Sequence, residues 1–412
     1  MITSFISLFQ TPTFLKALHF FFASAWIWVP SLLGTLFFQT WIRYARSNYI
    51  KEQGSLLLEL KLPKEISKSP AAMEVIFGVL SQPSVGSYID VYLKGRIRPW
   101  FSLELVSLGG YVHFYIWTQK KWKNLIESQI YSQFPTVEIR EVEDYAMQMT
   151  SDPEINSLWG MQLALTKPDA YPIKTYIEYG LLDDPKEEFK IDPITPLIEF
   201  LGSLKPNDQV WIQILIQAHK KENLKDLRIT EIPTWKKAAE AQIKKIIKDE
   251  TLASPEEGKT PSMRDLSDVQ KDVIKSMQRN LSKPAFETMI RAIYIAPKDD
   301  FNGGAIGSLT SAFKQFGSET LNGFRPDLTT SFDYPWQDYK GKRLAARKKD
   351  IFDAYRRRSF FYGPYKHYEG KPFILTTEEL ATLYHFPGQV ASTPTLDRTP
   401  SRKAEPPSNL PV

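Results

Sequence analysis

The longest apolar pattern runs from Ala17 to Ile42, ALHFFFASAWIWVPSLLGTLFFQTWI, with no Asp, Glu, Lys or Arg. A helix of about 20 predominantly apolar residues spans the hydrocarbon core of a bilayer. The pattern therefore predicts one transmembrane helix over residues 17–42. Trp41 and Tyr44 stand where an aromatic belt meets the headgroups, and Pro30 and Gly34 are tolerated in such helices. Two other readings compete. Ala23-Ser24-Ala25 resembles a small-residue cleavage site, but no basic region precedes it and the apolar run continues to Ile42. A buried soluble helix this apolar would need a large core around it. Only Lys16 precedes the segment, whereas Arg43, Arg46 and Lys51 follow it. The positive-inside rule then predicts a single-pass protein of the cell membrane, with residues 1–16 outside and residues 43–412 in the cytoplasm.

Beyond the span, the periodicity changes. Leu56, Leu58, Leu60 and Leu62 alternate, as in a strand with one buried face. Val75, Ile76, Val79 and Leu80 follow at helical spacing. Phe101–Val106 and Val112–Ile116 read as a hairpin around Gly109-Gly110, a pair able to take positive φ. Residues 119–133 predict a helix and Val137–Glu141 a strand, giving strand, helix, strand, strand, helix, strand over residues 50–145. That is the split βαβ, or ferredoxin-like, order. Tyr88–Leu93 reads as an extra short strand in the long connection Pro83–Pro99. The same order recurs over residues 155–332: a strand at Trp159–Leu165, a helix at Pro196–Leu204, strands at Val210–Ile216 and Phe286–Ala296, a helix through Ala305, Leu309 and Phe313, and a last strand near Leu321–Phe324. Residues 219–285 are read as an insertion with two polar helices, about 233–251 and 266–281, whose lysines form solvated or contact faces. The expected fold class is α+β: a transmembrane helix followed by two ferredoxin-like (split βαβ) domains, the second with a helical insertion.

Residues 333–388 differ in character. Lys340, Lys342, Arg343, Arg347, Lys348, Lys349, Arg356, Arg357 and Arg358 face only two acids in the run Lys340–Arg358. Basic charge beside Tyr355, Phe360, Phe361, Tyr362 and Tyr365 fits a nucleic-acid surface, since phosphates pair with cations and bases stack on rings. It equally fits a protein partner, an anionic lipid surface, or a structural helix with Leu344, Ile351 and Tyr355 inward. Thr376 and Thr377 are placed to cap a short helix over 378–384. Residues 389–412, with five prolines, read as an extended tail or linker.

The chain has no cysteine, which removes disulfides, thiolate metal sites and cysteine nucleophiles. Its five histidines, His19, His113, His219, His367 and His385, show no ligand spacing. Residues 253–260, ASPEEGKT, fit a relaxed P-loop pattern. A P-loop follows a buried strand and cradles phosphate with backbone N–H groups. Here a lysine-rich helix precedes, Pro255 lacks an N–H, and Glu256 and Glu257 repel phosphate. Asp183-Asp184 and Glu187-Glu188 flank Pro185 in a polar loop. With no nucleophile, dinucleotide or metal motif, the sequence supports neither an enzyme nor a cofactor, and no catalytic, cofactor-binding or metal residue is expected.

Residues 101–110 (FSLELVSLGG) with His113–Ile116, residues 125–135 (LIESQIYSQFP), residues 376–388 (TTEELATLYHFPG) and residues 402–411 (RKAEPPSNLP) together resemble the membrane-anchored regions that precede HerA/TraG-type ATPase domains in bacterial type IV secretion or conjugation-like systems. The resemblance covers most of residues 50–411 and carries no active-site residues. The chain ends at Val412, near where such an ATPase domain would begin. The resemblance thus implies a non-enzymatic scaffold or adaptor, held in the lipid bilayer by residues 17–42, that docks or orients a separate P-loop ATPase. The alternative is a membrane-tethered protein binding DNA or RNA through the basic helix 340–358.

Overall fold

A computed structural model of the chain describes residues 16, 19–20, 22–63, 68–149, 155–182, 191–219, 235–253, 266–332, 334–362, 370–388 and 398–399. The ASPEEGKT loop beyond Ala253, the acidic pairs at 183–184 and 187–188, Tyr365, His367 and most of the proline-rich tail lie outside these residues. In chain order the main elements are α1 (Ala25–Gln53), β1 (Ser55–Pro63), α2 (Ala71–Leu80), α3 (Tyr88–Tyr92), β2 (Trp100–Leu108), β3 (Tyr111–Gln119), α4 (Lys123–Gln133), β4 (Glu138–Val142), α5 (Tyr145–Gln148), β5 (Asn156–Leu165), α6 (Thr195–Gly202), β6 (Gln209–Ala218), α7 (Trp235–Ala253), α8 (Asp268–Leu281), β7 (Ala285–Pro297), α9 (Gly303–Ser311), β8 (Phe324–Thr329), α10 (Lys342–Arg356), β9 (Phe373–Thr376), α11 (Thr377–Leu383) and β10 (Arg398–Thr399).

The chain divides into two units, residues 1–52 with 85–97, and residues 53–84 with 98–412. In the first, α1 is long and apolar enough to cross a membrane, and its most apolar stretch has no buried residue. The expected strand at Tyr88–Leu93 is instead the short helix α3. Ser87 starts it with a capping box: its side chain accepts from Asp90 N, and the Asp90 carboxylate accepts from Ser87 N. The polar Ser-x-x-Asp signature thus overrides the β-forming residues between.

The second unit is a mixed α+β assembly on one large sheet, antiparallel except for the pairing of β10 with β1. The strand order is β10-β1-β3-β2-β6-β7-β5-β8, with β4 also on β1 and β9 also on β7. The Gly109-Gly110 hairpin forms as the sequence predicts, both glycines at positive φ. A Cβ on Gly109 would stand 2.4 Å from the Pro206 carbonyl oxygen, so the hairpin tip closes against the loop before β6.

Two separate sheets were expected; β2 and β6 instead pair antiparallel from Trp100↔Gln217 to Leu108↔Gln209 and fuse them. Nearly all of β2 and β6 is buried. An unpaired edge there would leave backbone N–H and C=O groups without partners away from water, which is costly. One core joins the inner residues of this sheet, such as Leu103, Phe114, Ile214 and Ile290, to α2, α4, α6, α9 and α11. In the insertion, α7 and α8 close a smaller core through Ala239, Ile243, Val273, Ile274 and Met277.

Candidate functional site

Strand alternation puts Leu103, Ile212, Ile214 and Ile290 in the large core and their neighbours on the opposite sheet face. The register then lines up Glu59, Tyr115, Glu104, Gln213, Arg291 and Gln162 as cross-strand partners over six strands. This polar row is buried throughout. Helix α10 packs over this face through Ile351, Phe352, Ala354 and Tyr355. Trp211 on β6 stacks on Phe352 at a ring-centroid distance of 5.9 Å and lies 5.3 Å from the Tyr355 ring. The helix also comes close to β5, where a Cβ on Gly160 would meet Ile351 Cδ1 at 2.7 Å.

The centre of the row is an ion pair. Arg358, just past the end of α10, is 1% exposed, and Glu104 is wholly buried. Its guanidinium forks onto Glu104, Nε to Oε1 at 2.9 Å and Nη2 to Oε2 at 3.0 Å. Arg358 also bonds Asp144, the N-cap of α5. Glu104 further accepts from Ser102 Oγ at 2.6 Å, Tyr145 OH at 2.8 Å and Gln213 Nε2 at 3.2 Å. Gln213 in turn accepts from Arg291 Nη1 at 3.1 Å. Burial alone would raise the Glu104 carboxyl, but the charge and bonds of Arg358 outweigh it and hold the group below its usual range. Burial likewise opposes the Arg358 charge, and Glu104 more than restores it. Burial and the nearby Glu104 push Tyr145 and Tyr355 well up, so both remain phenols. The bidentate geometry is the strong form of this contact.

The nine basic residues do not form one surface. Arg358 turns inward, which removes it from the expected outer patch. Arg347 donates to Thr329 O at 3.4 Å and lies over the Phe332 ring. Arg356 is half-buried, over Phe352 and against Met147. Arg343 donates to Gln337 O, and Lys348 is half-buried. Lys340, Lys342, Arg343, Lys349 and Arg357 are exposed. At the start of α10, Tyr334 and Trp336 are exposed and stacked, their centroids 4.6 Å apart with rings 11° from parallel.

A second buried polar cluster holds the C-terminal helix. Thr376 caps α11 in a capping box with Glu379, as its position in the sequence predicts. Every residue of α11 is buried. Glu379 accepts from Thr376 N at 2.8 Å, Ile173 N at 3.0 Å and Asn280 Nδ2 at 3.1 Å. Burial still pushes its carboxyl up to about 7, against the pull of those donors. Glu378 is bonded by Arg279 of α8, which also bonds Glu178. Lys283 bonds Glu74 of α2 at 2.5 Å.

Sequence reasoning placed Glu104 and Gln213 within strands and gave them no role. Their signal was a polar residue at mid-strand inside two otherwise apolar strands, FSLELV and VWIQILI. Only the β2–β6 register brings them together. Both clusters join elements far apart in the chain, and their partners converge between packed layers. Among the described residues no group of three or more His, Asp or Glu is arranged to hold a metal ion. No curated protein matches the chain. Residues 57–399 match DUF8128, a domain of unknown function, and the chain therefore belongs to that family.

Proposed function

We propose that the protein is a membrane-anchored, non-enzymatic scaffold of a type IV secretion or conjugation-like machine, docking or orienting a separate P-loop ATPase of the HerA/TraG type. The observation that carries the scaffold reading is the inward aim of the perturbed ionisable groups. Glu104, Arg358, Tyr145, Tyr355 and Glu379 are buried between layers, where they lock elements together. The ATPase part rests on the resemblance of residues 101–110 and 376–388 to regions that precede such motors. The anchor is α1, and Arg43, Arg46 and Lys51 after it favour residues 43–412 in the cytoplasm. Each half of the sheet is read as a ferredoxin-like unit. The orders β4-β1-β3-β2 and β8-β5-β7-β6, each with two crossover helices, support this. As fold analogy, it carries no function by itself.

The test is affinity capture of the tagged full chain from native membranes, with truncations after Gly388 and after Thr399. Cutting at Leu375 would remove α11 from the core and unfold the protein. Recovery of a P-loop ATPase that depends on residues beyond 388 supports the reading. Capture without any ATPase, from membranes that contain one, sinks it.

One observation favours a second reading, a membrane-tethered nucleic-acid-binding protein. The exposed Tyr334–Trp336 stack is followed within a few residues by the exposed Lys340, Lys342 and Arg343, a combination that suits base stacking with phosphate contacts. It predicts binding of single-stranded DNA that weakens steeply with salt and is lost in the Trp336→Ala variant. Binding unaffected by Trp336→Ala would remove the stacking contact.

A further inference from the structure

α3 sits on α1. Trp41 Nε1 donates to Tyr92 O at 3.0 Å, and the Phe38 and Tyr92 rings lie 5.8 Å apart. At Gly95, with φ +66°, a Cβ would stand 2.2 Å from the Ala45 carbonyl carbon, so the two backbones touch. The contact level, residues 38–45, is where the apolar run ends and Arg43 begins. Yet this segment also leaves apolar side chains exposed: Tyr88 (66%) and Ile89 (59%) on α3 and Leu93 (59%) just past its end. Its polar groups are satisfied locally. Asp90 takes Ser87 N, Ser87 Oγ and Lys94 Nζ, and Arg96 N bonds Asp90 O. An apolar face, self-satisfied polar groups and adjacent Lys and Arg are the features of a segment lying in the headgroup region.

We propose that residues 85–97 form a second membrane-contact element, a short interfacial helix that rests in the cytoplasmic headgroup layer against α1. The inference rests on the reading of α1 as a membrane anchor. Its occupant is lipid, because the exposed apolar residues belong to a segment in contact with α1 at residues 38–45, the level where aromatic and basic side chains meet headgroups. The element would fix the depth and rotation of α1, so that Trp41 and Tyr92 act as one anchor.

The absence of cysteine allows single labels. The full chain carrying Leu33→Cys, Ile89→Cys, Leu93→Cys or Tyr111→Cys is labelled with a bimane and placed in phosphatidylcholine–phosphatidylglycerol vesicles. Spin-labelled lipids then quench by depth. The Leu33 label should lose fluorescence to a chain-end quencher. The Ile89 and Leu93 labels should lose it to a headgroup-proximal quencher, and the Tyr111 label to neither. If Ile89 and Leu93 behave like Tyr111 while Leu33 is quenched, the inference is overturned and the anchor stands. If Leu33 also escapes quenching, the anchor reading fails and the inference falls with it. Shielding of Ile89 and Leu93 from soluble iodide without lipid quenching would mean that a second protein copy covers the face, and would also overturn it. Gly95→Ala forces the element off α1, so quenching at Ile89 and Leu93 should fall while that at Leu33 persists. Unchanged quenching in that variant would overturn the role of α1 as the support.

Discussion

The two buried polar clusters solve the same problem differently. Under α10, Glu104 meets a guanidinium that is itself 1% exposed, and the carboxyl is held below its usual range. Under α11, Glu379 is as deeply buried but accepts only from neutral groups, and its carboxyl rises to about 7. Burial is common to both, so it does not decide ionisation. The difference lies in the partner: a full opposite charge at bonding distance offsets desolvation, and neutral donors alone do not. The cations of the second cluster serve its other acids. Arg279 bonds Glu378 and Glu178, and Lys283 bonds Glu74. Those cations also lie nearer to water, with about a quarter of each side chain exposed.

The comparison breaks most easily at Arg358. Replacing it with alanine leaves Glu104 buried without its counter-ion, to be either charged and unpaired or forced to take up a proton, which costs about 3–5 kcal/mol. The double variant Glu104→Met with Arg358→Met removes both charges and should recover a large part of that loss. Denaturant unfolding of the full chain in detergent measures both. If Arg358→Ala costs less than 1 kcal/mol, the charge pair does not hold α10 to the sheet.

The effect expected next in size is a pH dependence. The folded pKa of Glu379 lies near 7, above its ordinary 4.5. The folded state therefore holds the proton more tightly than the unfolded chain. The stabilisation is complete below about pH 4.5, declines as pH rises, and is gone above about pH 7, a change on the order of 3 kcal/mol. Unfolding midpoints at pH 5, 6, 7 and 8 should show wild type losing stability relative to Glu379→Gln. The variant starts lower, because its amide cannot accept every bond, but its profile is flatter. Parallel profiles would show that Glu379 ionises normally and that the contrast between the clusters is false.

Much of this frame was legible in the sequence. The strands at Leu56–Leu62 and Val210–Ile216, the Gly109-Gly110 turn and the Thr376 cap each rest on local chemistry and each formed, although β1 is buried on both faces where one was expected, Leu57 and Glu59 lying under cover as well as Leu58 and Leu60. The fusion of the two sheets was not legible, because pairing between β2 and β6 is a long-range choice that two apolar strands leave open. The direction of Arg358 was hidden for a related reason. Three consecutive arginines, 356–358, look alike along the chain, and only the end of α10, where Arg358 takes φ 47°, turns one of them inward. Tyr88–Leu93 misled because β-branched and aromatic residues masked a Ser-x-x-Asp helix start.

The smallest effect sharpens the comparison by salt. Lys283 bonds Glu74 at 2.5 Å and lies 4.0 Å from Glu378, with 28% of its side chain exposed. A pair this open to solvent contributes about 0.5–1 kcal/mol, and ions screen it. Lys283→Met should therefore destabilise slightly at low salt and by almost nothing at about 1 M salt, where the Debye length falls to about 3 Å. Arg358→Ala, measured alongside, should keep its full cost at both salt levels, because no ion reaches Glu104. If both losses shrink together with salt, then water enters the space beneath α10, and the two clusters differ only in degree.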